Sequence, residues 1–154
     1  MKIRINLDET LEEDEVVINC RNIDPQILAI QKKVSDIIGR GQNFVLYKDD
    51  KEFYVPLDQI LFFETSSDGI SAHTGDNMFQ TKYRLYELEE MLPGNFIRVS
   101  KSTILNTSKI YSLTKNITST SVVQFDNSVK EVYVSRSYYK ALKIKLEERY
   151  SYER

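Results

Sequence analysis

Between Asn43 and Val134 the apolar residues recur at every second position, in short runs broken by turn-forming residues. That period restricts the segment to extended strands with a buried face. NFVLYK and KEFYVP flank Asp49-Asp50, as the arms of a hairpin with an acidic turn would. DQILFFET is a more continuous apolar run, which suits a strand covered on both faces. SSDG then makes a turn, GISAHT and NMFQTKY read as strands around Gly75-Asp76, and YELEEML reads as a helix. SVVQF and VKEVYVS flank Asp126-Asn127-Ser128 as a further hairpin. Seven or more short strands with few helices make a mainly β (α+β) domain.

The flanks follow a different pattern. Lys2–Leu7 and Val16–Cys20 each alternate, so a small strand pair is expected at the N-terminus, with Cys20 as a buried thiol. Asp24-Pro25 is a helix start, since the carboxylate can cap and proline's missing N–H costs nothing in the first turn. Ile27, Ile30, Val34 and Ile37 form one apolar stripe, and Gly39 and Gly41 offer a stop. Residues 1–40 are therefore read as a strand-and-helix extension. Its stripe is expected to pack on its own domain; the alternative partner is a second chain, which would make the extension a dimerisation element. At the other end Ser135 precedes RSYYKALKIKLEERY, a helix with Tyr139, Leu142 and Leu146 on one side.

A chain of 154 residues suffices for one full core. No run approaches the ~18 apolar residues a membrane helix requires, and the N-terminus lacks a secretion signal, so a cytoplasmic protein is expected. The single cysteine excludes an intramolecular disulfide. His73 is the only histidine, so a histidine–cysteine metal cluster has no ligands to draw on. G-x-S-x-G, P-loop and G-x-G-x-x-G motifs are absent, and nothing selects a pair among the turn carboxylates. No enzyme and no cofactor are expected.

Charge is distributed unevenly. The whole chain is at −2, yet residues 96–154 carry eleven Lys or Arg against five acids, while residues 41–95 carry four against ten. The positive part opens with FIRVSKSTILNTSKI, where Arg98, Lys101 and Lys109 stand among Ser100, Ser102 and other hydroxyl residues. Compact hydroxyl donors approach phosphate oxygens closely, and Lys or Arg supplies charge and reaches base edges. VSRSYYK places Arg136 between Ser135 and Ser137 where a strand meets a helix, so helix-start N–H groups would also face an anion. Physics alone leaves two readings open: two ordinary solvated strand-end loops, or one nucleic-acid surface.

FVLYKDDKEFYVPLDQILFFET, then NFIRVSKSTILNTSKI, then VYVSRSYYKAL resembles the LytTR family of bacterial transcription regulators, over roughly residues 42–148. The resemblance implies a fold of about ten strands that binds DNA through loops, entering successive major grooves on one face of the duplex and bending it. It implies a base-contacting role for Lys101 with Ser102 beside it, and for Arg136 in the neighbouring groove. Ser100, Lys109 and Arg98 would position the backbone, with Arg98 either touching phosphate or bracing its loop. Ser67 stands where relatives place a third contact, although Asp68 beside it departs from the pattern. Asn106 matches the motif in a conformational role.

Forty residues cannot hold the receiver domain most members carry, so the stand-alone type is implied. It would act as a homodimer on repeated half-sites of double-stranded DNA, sometimes beside a small membrane protein encoded nearby. The competing class is a protein-interaction module in signalling that binds no DNA.

Overall fold

Asp49 and Asp50 both adopt positive φ, 51° and 61°, the left-handed pair that a two-residue hairpin turn demands and that aspartate tolerates better than most residues. They join β1 (Asn43–Lys48) to β2 (Lys51–Pro56) in an unbroken antiparallel register. The computed structural model describes residues 1–40, 43–118 and 120–150. A 3-10 turn at Leu57–Gln59 leads to β3 (Phe62–Ser66), which turns at Ser67-Asp68 into β4 (Gly69–His73); β5 is Met78–Thr81. The helix α2 (Leu85–Met91) precedes the hairpin β6 (Phe96–Ser100) and β7 (Thr103–Asn106). Next come β8 (Ile110–Thr114), β9 (Ser121–Phe125), β10 (Glu131–Val134) and the helix α3 (Arg136–Tyr150).

The strands form two antiparallel sheets, one of seven in the order β2-β1-β5-β4-β3-β7-β6 and one of three in the order β10-β9-β8. β3 is an interior strand, covered on both faces at Phe62 and Phe63 as its continuous apolar run requires. Phe63 joins Phe44, Leu46, Ala72, Ile104 and Leu88 of α2 in one core. Phe62 joins Val99, Leu105, Val123, Val134 and Leu142 of α3 in the other, which lies between the sheets. Stacking of Phe62 on Phe125, centroids 5.5 Å apart, carries that second core across the gap.

Asn106 ties the edge of the large sheet to its middle. Fully buried, it donates from its amide to the Ile60 carbonyl at 3.0 Å and accepts from the Ser108 N–H at 3.0 Å and from the Asn95 amide at 2.9 Å. A second polar joint links the two sheets. His73 stacks on Phe62 at 4.2 Å, its Nε2 is 2.9 Å from Glu64 Oε1, and Lys130 Nζ lies 3.2 Å from its Nδ1. Burial first, then the Lys130 charge, push the His73 pKa down, against the opposing pull of Glu64.

Three expectations change at the N-terminus. Lys2–Leu7 and Val16–Cys20 are not strands; residues 1–24 carry no helix or strand, and Cys20 is exposed rather than buried. The physical reason is that a lone two-stranded ribbon is marginal in water, and the six acids among residues 8–15 discourage the connection from folding back. The helix α1 (Pro25–Arg40) does form, with the Asp24 carboxylate accepting from the Ile27 N–H at 2.9 Å. It packs beside the Leu57–Gln59 turn, leaving Ile27, Ile30 and Val34 half-buried and Ile37 exposed. Of the two glycines proposed as its stop, Gly41 lies outside the described residues.

Two measurements follow from the polar joints. Asn106→Ala leaves a buried carbonyl and N–H without partners and should cost about 3 kcal/mol in urea unfolding; a loss under about 1 kcal/mol would show the joint to be dispensable. Because the folded-state pKa of His73 lies below its ordinary value of 6.5, the unfolded chain binds the proton first as pH falls. Stability should therefore decline as pH falls through the ordinary histidine value of 6.5 and on through the lower folded-state value, and His73→Gln should flatten that decline. Identical pH profiles for both proteins would remove histidine from the explanation.

Candidate nucleic-acid interface

β6 is the edge strand of the large sheet, and its pairing with β7 slips by one residue: Arg98 faces Ile104, Ser100 faces Thr103, and Val99 is the extra residue of a bulge. A bulged residue leaves the ladder. The Val99 side chain is fully buried, and its carbonyl accepts from the Ser135 N–H at 2.9 Å. The bulge thus lays the start of α3 against the end of β6. Lys101 is two residues from one end of that hydrogen bond and Arg136 one residue from the other.

At ~3.8 Å per residue and about 5 Å across the bond, the Cα atoms of Lys101 and Arg136 lie within roughly 16 Å. The two corners therefore form one contiguous edge, well short of the ~34 Å helical repeat of a straight duplex. The third turn joins them. Thr65 donates to the Ser102 carbonyl at 2.9 Å, which sets Ser67-Asp68 beside Lys101-Ser102. From the β3–β4 turn across β3, β7 and β6 to Ser135, strands ~4.8 Å apart give a row on the order of 15–20 Å long.

Within this row Lys101, Ser102, Ser67, Asp68 and Arg136 are exposed. The side chains of Lys101 and Arg136 make no ion pair or hydrogen bond among the described residues. The hydroxyls of Ser100 and Ser102 are 3.2 Å apart, Ser100 also accepts from the Ser102 N–H at 3.2 Å, and the hydroxyls of Ser135 and Ser137 are 3.3 Å apart. Ser135 caps α3 through its carbonyl, which accepts from Tyr138 and Tyr139 at 3.1 Å, and its hydroxyl is not the capping atom. Behind the edge lies a cleft of about 300 Å³ lined by Glu64, Ser100, Ser102, Thr103, Tyr133 and Ser135 among others.

Arg98 serves the turn from behind. Its Nε donates to the Ser100 carbonyl at 3.1 Å, one terminal nitrogen donates to the Lys101 carbonyl, and the other reaches Glu89 of α2 at 2.8 Å. Of the two roles open to it, the brace is the one its contacts describe. Glu89 was not anticipated: the pair is nine residues apart in sequence, across a helix, a loop and a strand, and no local pattern marks it.

Lys109 does not join the row. It follows β7 at the end away from the Lys101 turn, in a cleft with Asp58, Asp76 and Asp126. Proximity in sequence to Lys101 placed it with the interface, but a four-residue strand separates the two. Glu64 and Asp68, from the acidic middle of the chain, sit at the row.

A sheet framework that offers hydroxyl-rich turns and unpaired cations along one edge is the form of a DNA-binding domain of the β type. The description "LytTr DNA-binding domain" matches residues 50–147, and the chain belongs to that family. It is similar in structure to the LytTr DNA-binding domain of a protein described as a methyl-accepting/DNA response regulator from Bacillus cereus, with 28% identity and a TM-score of 0.61. That match covers 68% of this chain and 95% of the other.

Among curated proteins it is 27% identical over 146 residues to an uncharacterized HTH-type transcriptional regulator of Staphylococcus aureus strain NCTC 8325, covering 95% of this chain and 98% of the relative. A relative with the same description in strain MRSA252 is 29% identical over 106 residues, covering 69% of this chain and 71% of its own. The helix-turn-helix of those names has no counterpart among the described residues here. Five strands separate α1 from α2, and five more separate α2 from α3. No described helix is long and apolar enough to cross a membrane.

Arg98→Lys keeps the charge and removes the planar fork. It should weaken specific duplex binding by about tenfold while leaving the salt dependence unchanged, because a lost brace disorders the turn without releasing a phosphate contact. Unaltered affinity would reassign Arg98 to simple charge.

Proposed function

We propose that this chain is a sequence-specific DNA-binding transcription regulator that acts as a homodimer on repeated half-sites. The observation that carries the reading is the convergence of Lys101 and Arg136 on one sheet edge, tied by the Ser135–Val99 hydrogen bond, with both side chains exposed and without partners among the described residues. Lys101 and Arg136 read base edges in the major groove, where a cation forms its best contact with guanine. Ser100, Ser102 and Ser67 lie against phosphate, and Arg98 holds the turn.

The length of the row decides how much DNA one domain touches. A row of ~15–20 Å fills one major groove, ~12 Å wide, together with its flanking backbone. Contact with successive major grooves requires the duplex to bend toward the protein, so that the long side chain of Arg136 meets the neighbouring groove. Bending is then part of binding, with a cost that depends on the sequence bent. A low overall charge fits such a protein, because affinity for arbitrary DNA grows with the number of phosphates neutralised. Glu64 and Asp68 beside the cations further penalise a badly placed duplex.

Sites selected from random duplexes test this directly. Lys101→Ala and Arg136→Ala should each cost about 1–3 kcal/mol at the selected site and relax preference at one base position, while Lys109→Ala changes neither. A selected motif unmoved by both variants would reject the row as the reading surface. No enriched site at any salt concentration would favour the protein-interaction reading.

A further inference from the structure

Ile3, Ile5 and Leu7 present their side chains to solvent in strand-like alternation, 92%, 93% and 90% exposed, and further along the arm Val16, Val17 and Ile23 are 63–64% exposed. Each fully buried aliphatic side chain removes on the order of 100 Å² of apolar surface. Burying the exposed parts of these six would remove roughly 450 Å² per copy, over half the ~800 Å² per partner of a stable interface. Isolated apolar residues on a surface need no explanation, but an alternating row of this size does.

The charge pattern says what covers it. The arm carries Lys2 and Arg4 in its first half and continues into the acids Asp8 and Glu9. Antiparallel pairing of this segment with its own copy about Ile5 sets Lys2 against Asp8, Ile3 against Leu7, Arg4 against Asn6, and Ile5 against itself. Two-fold symmetry demands this self-complementarity, in which residue i meets j and j meets i. Charges of opposite sign then face each other at both ends of the ribbon, and every apolar side chain of Ile3, Ile5 and Leu7 falls on one face.

We propose that the N-terminal arm is the dimer interface, with Lys2–Asp8 pairing with the same segment of a second copy about Ile5, flanked by Val16–Cys20, and with α1 covering the apolar face. The same physics explains why one chain leaves the arm open. Two strands are marginal alone, whereas two copies supply four strands and two helices to cover them, beyond the three-strand threshold for independent stability. The half-buried stripe Ile27, Ile30 and Val34, with exposed Ile37, is the covering surface.

This inference rests on the dimeric reading above, and its test separates the two. In the full chain carrying Cys20→Ser, Ile5→Cys should oxidise to a covalent dimer, because residues directly opposite in an antiparallel pair have Cα atoms ~4.5–5.5 Å apart, within disulfide range. Asn6→Cys, which would face Arg4, should cross-link far less, and the unmodified chain should sediment as a dimer. Cross-linking through Ile18→Cys in place of Ile5→Cys would move the two-fold to the second segment and overturn the register. Monomeric sedimentation of the unmodified chain would overturn the pairing between copies. Binding of a single half-site duplex is read on the same samples. Cross-linking without duplex binding keeps the arm and rejects the DNA-reading edge, while half-site binding by a chain that never cross-links rejects the arm alone.

Discussion

The one-residue slip at Val99 decides where the rest of the interface can be. In a regular ladder the Val99 carbonyl would point at β7; displaced by the bulge, it needs another donor, since a carbonyl held beside a core cannot go unpaired without cost. The Ser135 N–H supplies it. The end of β10 is thereby fixed against the edge of the large sheet, although the two belong to different sheets, and α3 starts beside the β6–β7 turn. The second core, with Val99, Val134 and Leu142 all fully buried, fills the space beneath. Loosening that core would separate two turns that are thirty-five residues apart in the chain.

Rigidity at the edge comes from polar contacts more than from charge. Arg98 spends its guanidinium on two turn carbonyls and on Glu89, so the cation nearest Lys101 in sequence acts as a strut. Asn106 performs the corresponding task at the far end of β7, from a buried position. Between them β7 is held at both ends, and its first turn keeps a defined shape before any duplex arrives. A preorganised turn loses less freedom on binding than a mobile one.

Much of the fold was legible in the residues. The β1–β2 hairpin was readable because Asp49-Asp50 can adopt the left-handed pair its turn needs, and the two-sided burial of β3 was readable because ILFF has no polar face to expose. The Asp24 cap and the Tyr139–Leu142–Leu146 face of α3 followed from local spacing alone. The N-terminal strands were misread for an instructive reason. Alternation in KIRINL and VVINC records what a strand would bury, and says nothing about whether a neighbouring strand exists in the same chain. Cys20 was misplaced with them. Lys109 was grouped with Lys101 because the two are near along the chain, and the strand β7 between them carries them to opposite ends of the sheet.

From the sequence by itself came the strand period, the turn chemistry, the asymmetric charge and the identity of the cations on the two turns, all of which are properties of residues and their immediate neighbours. Tertiary structure alone decided that Lys101 and Arg136 share one short edge, that Arg98 faces inward to Glu89, and that Ser67-Asp68 completes the row. Those outcomes depend on strand order and on a single bulge. They arise from hydrogen bonds between segments distant in the chain, whose geometry is set by how the two cores pack and by no local pattern.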